Sequence, residues 1–534
     1  MNGHLETLPD EANKLKQIIA QLTLTIADLE NEKRTHQSTI DSLHEQLRLL
    51  QHHRFGRRSE KYDSNQLDLF NEAEVIEDSI EEPDLQADEP TVTVPAHTRK
   101  KGGRKPLPAT LPRIDVIHDL PEEEKVCAHD GGRLVPMGEV VSEQLDIIPA
   151  TVQVIRHIRK KYACPCCELG VKTAPLPPQP IPKSIASPGT LAQIAVSKYQ
   201  DALPLYRQQT IFKRLGVELP RATLAQWMIR LGVLIQPVIN LLRDQLLEYD
   251  IVQMDETPVQ VLKEPGKTAS SKSYMWVQKG GPPDRPILLY EYDPSRSQQV
   301  PLRLLEGFNG YLQTDGYEGY AAVAAQAVVI QVGCWAHARR KFDEAIKAQG
   351  KTKKPTFGKA TKALAFIQKL YRIEALIKHE TPKARYQARQ EQALPILADM
   401  RAWLDQSLTQ VPPKTTLGKA LYYLDHQWDK LIRYCEDGRL NIDNNPVERA
   451  IRPFVTGRKN WLFSDTVKGA KASANLYSLI ETAKANGLEP YHYLRYVFKE
   501  LPAVQSIADL EALLPFNLNA DQINLATVSL EGCS

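Results

Sequence analysis

Two aspartates follow predicted β-strands near the middle of the sequence. Asp255 ends the stretch IVQMD, and Asp315 ends the stretch GYLQTD. Aspartates often form turns after strands, so either residue alone predicts little. If the two strands are neighbours, however, the two carboxylates lie together and repel each other unless a cation lies between them. Mg²⁺ prefers such oxygen ligands, and two ions about 4 Å apart can promote cleavage of a phosphodiester.

A third carboxylate would complete such a site, and Glu448 in NIDNNPVERAIRP is the candidate. With Asn445 as N-cap and Pro446 at the first helical position, Glu448 would be the third residue of a helix. A glutamate there often caps its own helix or pairs with a residue such as Arg452 four positions later. We favour the metal ligand over the cap, although the two roles do not exclude each other. By position, the rival ligands are Glu256, Glu291, Asp293 and Glu318.

The elements around the two aspartates have the order of a ribonuclease-H-like fold. From residue 250 the pattern predicts three strands, a helix, a fourth strand, a small helix, and a fifth strand that passes into a helix. In that fold the first and fourth strands are neighbours, which would bring Asp255 and Asp315 to one edge of the sheet. The expected α/β catalytic core spans residues 250–465 with a helical insertion at about 336–440, followed by C-terminal helices at 466–515 and a tail at 516–534.

The N-terminal residues 1–55 carry a heptad repeat. One position holds Leu8, Leu15, Leu22, Leu29, Leu43 and Leu50, and the other holds Ala12, Ile19, Ile26, Ile40 and Leu47. This seam predicts a homodimeric coiled coil, and one long helix packed on its own chain is the alternative. Residues 56–110 form an expected linker, acidic and then basic, in which residues 62–98 hold eleven acidic residues and no Lys or Arg.

Residues 111–180 alternate as short strands around cysteines and predict a zinc-ribbon-like domain. Cys164 and Cys167 have the spacing with which two thiolates share a tetrahedral Zn²⁺. The second pair is incomplete, because Asp130 follows Cys127 at that spacing, with His129 as a substitute ligand. A Zn²⁺ site at Cys127, Asp130, Cys164 and Cys167 and a ribbon that folds without metal are both open.

Residues 185–247 are predicted to be helical. A helix, a short turn at 216–220 and a second helix from Arg221 to Leu231 form the layout of a helix-turn-helix, and two packed helices without a DNA role are the alternative. The polar face of the second helix holds Arg221, Thr223, Gln226 and Arg230. Further on, residues 338–390 hold fifteen Lys or Arg against four acidic residues, a density typical of surfaces that bind nucleic acid, although a solvated helical surface would look the same.

The composition is that of an ordinary soluble protein. The chain has 534 residues, enough for three or four domains, with 25% charged and 42% hydrophobic residues and a net charge of +2. It has no run of about 18 apolar residues and no apolar signal core at the N-terminus. We therefore expect a cytoplasmic, nucleoid-associated protein.

Four blocks of the sequence closely resemble the insertion sequence 66 family of bacterial transposases. These blocks are MDETPVQV, LQTDGYEGY, CWAHARRKF and IDNNPVERAIRPFVTGRKNWLF. The RFGRRSEKY box, the cysteine region and the leucine zipper resemble the family in the same order, so the likeness covers about residues 10–500. It implies a DDE transposase in which Asp255, Asp315 and Glu448 form the catalytic triad and hold two Mg²⁺ ions, for which Mn²⁺ substitutes. The family usually has two Cys-x-x-Cys pairs, and Asp130 departs from that pattern.

The resemblance also gives roles to residues near Glu448. Arg449, Arg452, Arg458 and Lys459 would hold the phosphate backbone, and Trp461 would stack on a base. A basic surface turn with a core tryptophan is the alternative. His337 would act as a proton carrier or hydrogen-bond donor, or as a buried structural histidine.

Together these patterns predict a transposase that binds terminal inverted repeats, cleaves DNA there by metal-dependent hydrolysis and joins the 3′-hydroxyl to target DNA. Its expected partners are double-stranded DNA, a second copy of the chain or a higher oligomer, and companion proteins encoded by the same element, with no membrane. The alternative is a catalytically silent DNA-binding remnant or repressor, and a third candidate is a structure-specific nuclease of the same fold.

Overall fold

The computed structural model describes residues 12–55, 152–163, 171–326, 328–349 and 358–519, together with 521 and 523. The chain forms two compact units, one of residues 1–79 and 161–534 and the other of residues 80–160. In the second unit only residues 152–160 are described, and they contain no helix or strand. The described helices and strands all belong to the larger unit.

The N-terminal helix α1 (Ala12–Phe55) is 44 residues long. Its predicted seam is uncovered in the single chain, since Leu22, Ile26 and Leu29 are 56–58% exposed. Another side of the helix contacts the rest of the unit through Glu45, whose carboxylate accepts hydrogen bonds from the amide and hydroxyl of Thr416 at 3.0 and 3.1 Å. The side chains that a coiled coil would bury therefore face solvent.

A short hairpin precedes the helical region. Strand β1 (Lys161–Ala163) pairs antiparallel with β2 (Val171–Thr173). The predicted zinc ligands Cys127, Asp130, Cys164 and Cys167, and the substitute His129, lie outside the described residues.

Four helices follow the hairpin. They are α2 (Pro188–Tyr199), α3 (Leu205–Arg214), α4 (Arg221–Leu234) and α5 (Gln236–Glu248). The turn between α3 and α4 contains Gly216 at φ +83°, a left-handed conformation that glycine adopts without strain. Helix α4 begins at the predicted Arg221 and ends three residues beyond the predicted Leu231.

A mixed six-stranded sheet forms the centre of the larger unit. Its main strands are β3 (Ile251–Lys263), β4 (Lys272–Gly280), β5 (Ile287–Asp293), β6 (Gly310–Gln313) and β7 (Val329–Val332). Their order across the sheet is β5-β4-β3-β6-β7, and β4 alone runs opposite to the other four. The first and fourth of these strands are therefore neighbours, which is the adjacency that the order of elements predicts.

Strand β3 differs from its prediction in length. Asp255 was expected at the end of the strand, but β3 continues to Lys263 and pairs with β4 as far as Gln260. Pro258 lies inside the strand, where the pairing with β6 has already ended after Gln253. A proline is tolerated there because no neighbour on that side needs its missing N–H.

The helical insertion follows the sheet strands. Helices α6 (Gln299–Leu304) and α7 (Ala321–Ala324) are short connections between strands, and the insertion comprises α8 (Trp335–Gln349), α9 (Lys359–Leu376), α10 (Pro382–Ala388), α11 (Leu394–Leu408), α12 (Thr416–His426) and α13 (Trp428–Ile432). Its buried Trp335, Phe342, Leu370, Met400 and Leu421 belong to an apolar core that is distinct from that of the sheet. The prediction of a nearly all-helical stretch is confirmed over the described residues.

A buried arginine forms hydrogen bonds that connect the end of the insertion to its interior. Arg389, in a π-helical turn at 389–393, is fully buried and forms two hydrogen bonds with Glu374 at 2.9 and 2.8 Å. It also donates to the carbonyls of Tyr434, Asp437 and Leu440 at 2.6–2.9 Å. These bonds order the segment that leads back from the insertion to the sheet.

The C-terminal elements return to the sheet. They are α14 (Asn445–Trp461), β8 (Ser464–Thr466), which pairs with the far end of β3, α15 (Val467–Ala485), α16 (Pro490–Glu500) and α17 (Ile507–Glu511). Helix α4 packs closely on α15, since a Cβ at Gly232 would lie 2.6 Å from the Cα of Ala472. The C-terminal helices predicted at 466–515 correspond to α15, α16 and α17.

Helix α15 covers the edge strand β5. Ser478 and Thr482 each bond to both the N–H and the carbonyl of a β5 residue, Tyr290 and Leu288 respectively, at 2.8–3.4 Å. One turn later Asn486 donates to the carbonyl of Pro286 at 2.9 Å. Side chains four residues apart on the helix thus match backbone groups two residues apart on the strand. This pairing satisfies an edge that would otherwise be open to another chain.

No single helix among those described is long and apolar enough to cross a membrane. By length and composition alone, α4 and α5 pass that test as a pair, with a bend of 47° between them.

Candidate active site

The register of β3 and β6 brings the two predicted aspartates together. The last parallel pair is Gln253 with Gln313, whose side chains also bond to each other at 2.8 Å. Asp255 and Asp315 each follow their glutamine by two residues, so the same register places them side by side. The carboxylate of Asp255 accepts from the amide of Glu256 at 2.8 Å, and that of Asp315 accepts from the amide of Tyr317 at 2.9 Å.

Glu448 reaches the same region from helix α14, but its helix begins differently from the prediction. The N-cap is Asn444, not Asn445, and it forms no side-chain cap hydrogen bond, so the predicted cap residue is wrong. The helix begins at Asn445, and Glu448 is its fourth residue. The predicted capping register is therefore shifted by one residue.

Asn444 instead links its own segment to two others by hydrogen bonds. It is fully buried, and its side-chain amide donates to the carbonyl of Met254 at 2.9 Å, next to Asp255. Its backbone N–H donates to the sulfur of Cys334 at 3.2 Å. Because Asn444 binds both β3 and the start of α8, it fixes where the helix that carries Glu448 begins.

Two further contacts hold this loop. Gln313 donates to the carbonyl of Asn441 at 2.7 Å, which links β6 to the loop before α14. Asp443 is buried and accepts from the hydroxyl of Tyr371 and the side chain of Asn445 at 2.8 and 2.9 Å. The loop is thus connected to the sheet and to the insertion.

The carboxylates oppose one another electrostatically. Burial, and then the negative charges of Glu256, Asp315 and Glu448, raise the pKa of Asp255 well above its ordinary value. The three predicted ligands are therefore close enough to interact. A cation between them would remove the repulsion, and their hard oxygen donors fit Mg²⁺.

One buried atom fits the same interpretation. Within the described part of the chain, the side-chain oxygen of Asn444 is buried and accepts no hydrogen bond. Such an acceptor is suited to a donor such as a water bound to a metal ion. The residues at this site therefore fit a hydrated divalent cation.

A second group of donors lies beside Glu448. The ring nitrogen Nδ1 of His337 lies 3.7 Å from Oε1 of Glu448, and the two side chains are 24% and 13% exposed. Cys334, His337 and Glu448 each offer one atom that could ligate a metal ion, and these atoms lie within 4.8 Å of one another. Burial raises the pKa of the Cys334 thiol well above its ordinary value, so this sulfur is protonated and serves as the acceptor for Asn444. His337 contacts a predicted ligand, which favours a positioning or proton-carrying role.

The rival carboxylates have other partners. Glu256, 1% exposed, is held by Arg296 and Tyr320. Arg303 bonds to both Glu291 and Asp293 at 3.3 and 3.0 Å, while Glu318 is exposed in a short 3₁₀ turn.

The predicted DNA-binding residues of α14 differ in their surroundings. Arg449 and Lys459 are exposed, and Arg452 is half-buried. Arg458 donates to the hydroxyl of Thr257 at 3.0 Å and to the carbonyl of Pro258, so its guanidinium is bound to β3. The ring of Trp461 is partly buried, with its centroid 5.6 Å from that of Phe454 and 5.2 Å from the ammonium of Lys198. This tryptophan therefore packs against the core, and its stacking on a base stays a prediction.

On α4, three of the four predicted contact residues are open to solvent. Arg221, Gln226 and Arg230 are exposed, and Thr223 is half-buried. The opposite side of the helix buries Leu224, Trp227, Met228 and Leu231 in the core. An exposed polar face on a firmly packed helix is compatible with insertion into a groove.

Sequence reasoning missed the residues that hold the site. Gln253 and Gln313 stand at the same distance before the two aspartates, and this repeated spacing was the only available signal. The sequence does not distinguish Asn444 from its neighbour Asn445 as the N-cap, because asparagine is favourable at that position in either case. Arg296 had no local signal, since its partners lie 40 and 21 residues away.

The central part of the chain matches a known family. Residues 183–472, more than half of the chain, match the model described as "Transposase IS66 family". The chain belongs to the IS66 family of transposases. Three further models of this family match it: residues 42–116 match "Transposase C of IS166 homeodomain", residues 124–168 match "zinc-finger binding domain of transposase IS66", and residues 478–516 match "IS66 C-terminal element".

Relatives of this IS66-family transposase occur in Sinorhizobium fredii. The uncharacterized protein y4jD is 35% identical over 434 residues, which cover 79% of this chain and 83% of the relative. The uncharacterized protein y4qI is 31% identical over 548 residues, covering 97% and 98%. The similarity to y4qI thus extends over nearly the whole of both chains.

Family membership bears on the expected cofactors. The zinc-finger match at residues 124–168 contains all four predicted zinc ligands, which supports a zinc-binding role for that region. The match at 183–472 contains Asp255, Asp315 and Glu448.

Proposed function

We propose that this IS66-family protein is a DDE transposase that binds the terminal inverted repeats of its insertion sequence. It would hydrolyse a phosphodiester at the element's end and join the freed 3′-hydroxyl to target DNA by transesterification. The observation that carries the proposal is the convergence of Asp255, Asp315 and Glu448, which come from three segments and interact closely enough to raise the pKa of Asp255. Family membership supplies the substrate class.

A ribonuclease-H-like core within residues 250–465 is part of this proposal. Its support is the order β5-β4-β3-β6-β7 with β4 alone reversed, and the long helical insertion between β7 and α14. In this arrangement the acids on β3 and after β6 meet at one edge, and the third acid arrives on a helix packed against β3.

Asp255, Asp315 and Glu448 would hold two Mg²⁺ ions, which Mn²⁺ can replace. When bound, such ions activate the attacking water or 3′-hydroxyl and stabilise the leaving oxygen. The chain itself supplies position, because Asn444 holds the start of α14 against β3 and His337 lies beside Glu448. Position matters, since a displacement of about 1 Å can cost about 10²-fold in rate.

Other regions would supply DNA binding and assembly. The exposed face of α4 with Arg221, Thr223, Gln226 and Arg230 would read the terminal repeats, together with a zinc-bound region around residues 124–168. Arg449, Arg452, Arg458, Lys459 and the basic insertion would contact phosphates. The exposed seam of α1 would pair with a second copy of the chain and so bring two DNA ends together.

Three conservative substitutions test the catalytic assignment. Asp255→Asn, Asp315→Asn and Glu448→Gln should each reduce Mg²⁺-dependent cleavage of the element's own ends by at least about 10³-fold, because each removes a charged metal ligand. Binding of the same DNA in a gel-shift assay should change little. Glu318→Gln is the matched control, since it removes an exposed carboxylate three residues from Asp315 and should cleave normally.

Three outcomes would contradict the proposal. If Glu448→Gln cleaves normally, Glu448 is not the third ligand. If the wild-type protein shifts the end DNA but never cleaves it in Mg²⁺ or Mn²⁺, the chain is a catalytically silent DNA-binding protein. Faster cleavage of a branched junction than of the element's ends would instead indicate a structure-specific nuclease.

A further inference from the structure

Arg296 lies in the loop after β5, where its side chain is held from two directions. Its Nε and Nη2 contact Oε1 of Glu256 at 2.6 and 2.5 Å. Its guanidinium carbon lies 3.8 Å from the centroid of the Tyr317 ring, so the planar group lies over that ring. The hydroxyl of Tyr317 also donates to the carbonyl of Arg296 at 2.5 Å. Both the backbone and the side chain of Arg296 are therefore positioned.

The two members of this ion pair differ in exposure and in the number of their hydrogen-bond partners. Glu256 is 1% exposed, and its second oxygen accepts from the hydroxyl of Tyr320 at 2.7 Å. The side chain of Arg296 is 40% exposed. A guanidinium has five N–H groups, and among the described residues no hydrogen-bond acceptor contacts Nη1 of Arg296. The carboxylate accepts from both Arg296 and Tyr320, whereas the Nη1 edge of the arginine is free of acceptors among the described residues.

This edge belongs to a side chain that is held by neighbours of the two aspartates. Glu256 directly follows Asp255 in β3, and the amide of Tyr317 donates to the carboxylate of Asp315 at 2.9 Å. The two groups that hold Arg296 are thus attached to the two segments that carry the aspartates. Any ligand that binds the free edge of Arg296 would lie at the rim of the candidate active site.

We propose that the free edge of Arg296 binds a non-bridging phosphate oxygen of the DNA strand that occupies the candidate active site. The assignment rests on the proposed function, which supplies the DNA. Planar guanidinium donors match the geometry of a phosphate, and stacking on an aromatic ring fixes their direction. Because Glu256 already neutralises the charge of Arg296, this contact contributes orientation more than long-range attraction.

A purely structural pair predicts a different arrangement. An arginine needed only to neutralise a buried glutamate would gain most by being buried with it and by using its donors on protein acceptors, as Arg389 does with Glu374 and three carbonyls. Arg296 instead has a side chain that is 40% exposed, and its Nη1 has no acceptor among the described residues. The same chain therefore contains a structural arginine for comparison.

A scan with single methylphosphonates, which remove the charge of one phosphate at a time, tests the proposal. The wild type and Arg296→Gln are compared on end DNA substituted at successive positions around the cleavage site. We expect one position at which the substitution slows the wild type by about 10–100-fold, the range of a hydrogen bond to a charged group, but slows Arg296→Gln no further. Arg296→Lys, which keeps the charge but loses the planar fork, should recover only part of the rate.

The double variant Glu256→Gln/Arg296→Gln guards against misfolding, because it leaves no unpaired buried charge and keeps a partner for Tyr320. It should show the same loss of sensitivity at that position. Arg303→Gln is the matched control: Arg303 is 46% exposed and also pairs with carboxylates, but it does not contact the residues that hold Arg296. Its methylphosphonate profile should equal that of the wild type.

The outcomes separate this site from the proposed function. Cleavage by the wild type with identical methylphosphonate profiles for wild type and Arg296→Gln would overturn the phosphate contact alone. If the wild type binds DNA without cleaving it, the same scan is read by binding affinity. A phosphate that depends on Arg296 then supports the site while the transposase proposal fails, and no such phosphate overturns both.

Discussion

Asp255 is the residue at which the proposed function most clearly opposes stability. It is held in a buried position beside Glu256, Asp315 and Glu448, and all three raise its pKa in addition to the effect of burial. A chain selected for stability alone would not place these charges together. A bound cation would be coordinated by these carboxylates and would remove their repulsion. The repulsion would therefore destabilise the fold only in the metal-free state.

Asp255→Asn should therefore stabilise the metal-free protein. Removal of the opposed charge is expected to raise the free energy of unfolding by about 0.5–2 kcal/mol at neutral pH, the usual gain for relieving one strained site. The measurement is the melting temperature in chelator, compared between wild type and variant. Added Mg²⁺ should raise the melting temperature of the wild type and raise that of the variant much less.

The pH dependence of this difference has a definite sign. Because the pKa of Asp255 is raised in the folded state, its contribution to stability is fully present below the unfolded pKa of about 3.9 and is lost as pH rises through the folded pKa. The stability advantage of Asp255→Asn should therefore grow as pH rises above about 4 and reach a plateau. An advantage that is constant with pH, or largest in acid, would contradict this account.

Among the structural elements, the start of α14 decides whether Glu448 meets the aspartates. Glu448 and Asp255 are separated by the whole insertion, so chain continuity does not bring them together. The link is made by Asn444, which bonds to Met254, 190 residues away. Together with the contacts of Gln313 and Asp443, this buried amide side chain fixes where the helix that carries Glu448 begins.

Asn444→Ala should impair cleavage far more than DNA binding. Loss of the hydrogen bond to Met254 removes about 1–2 kcal/mol of stability and loosens the start of α14. A drop of about 10–100-fold in kcat, with a higher Mg²⁺ concentration needed for half-maximal rate and an unchanged gel shift, is the expected result. Asn445→Ala is the matched control, because it loses only its bond to Asp443. Equal losses in the two variants would show that Asn444 has no special role.

The second element with a testable role is α15, which closes the sheet edge. Thr482→Val keeps the shape of the side chain but leaves the N–H and carbonyl of Leu288 without their buried partner. We expect a loss of about 1–3 kcal/mol in the free energy of unfolding, measured by chemical denaturation. Thr482→Ser retains the hydroxyl and should lose much less. If the valine variant is as stable as the serine variant, the hydroxyl bonds do not stabilise this edge.

At the scale of the whole molecule, α1 exposes a row of large apolar side chains that a second helix could bury. Its seam side chains face solvent, while Glu45, on another side of the helix, contacts Thr416. The intramolecular contact thus leaves the seam free for a second chain. Burial of such a seam is the main source of stability in a coiled coil.

The double substitution Leu22→Glu/Leu29→Glu should convert the expected dimer into a monomer, because it places charges at two seam positions. Molar mass from light scattering after size-exclusion chromatography measures the change. Leu24→Glu is the matched control, since Leu24 is 68% exposed and lies outside the seam. A wild type that is monomeric at micromolar concentration, or a control that also dissociates, would exclude pairing through this seam.

The local patterns of the sequence determined the elements and their order. Alternation and periodicity gave β3 to β7 close to their observed positions and the insertion as a nearly all-helical stretch, because these signals depend on neighbouring residues. The heptads gave α1 for the same reason. The order of the elements also predicted that the strands carrying the two aspartates are neighbours, whereas their register is a tertiary feature.

Only the tertiary structure decided which side chains hold the site. In the structure the N-cap is Asn444 and not Asn445, and β3 continues beyond Asp255. Glu256 forms an ion pair with Arg296. The N-cap and the partner of Glu256 depend on contacts between residues 190 and 40 positions apart, and the extension of β3 depends on its pairing with β4 and β8. Local propensity ranks Asn444 and Asn445 alike, and only the distant carbonyl of Met254 distinguishes them.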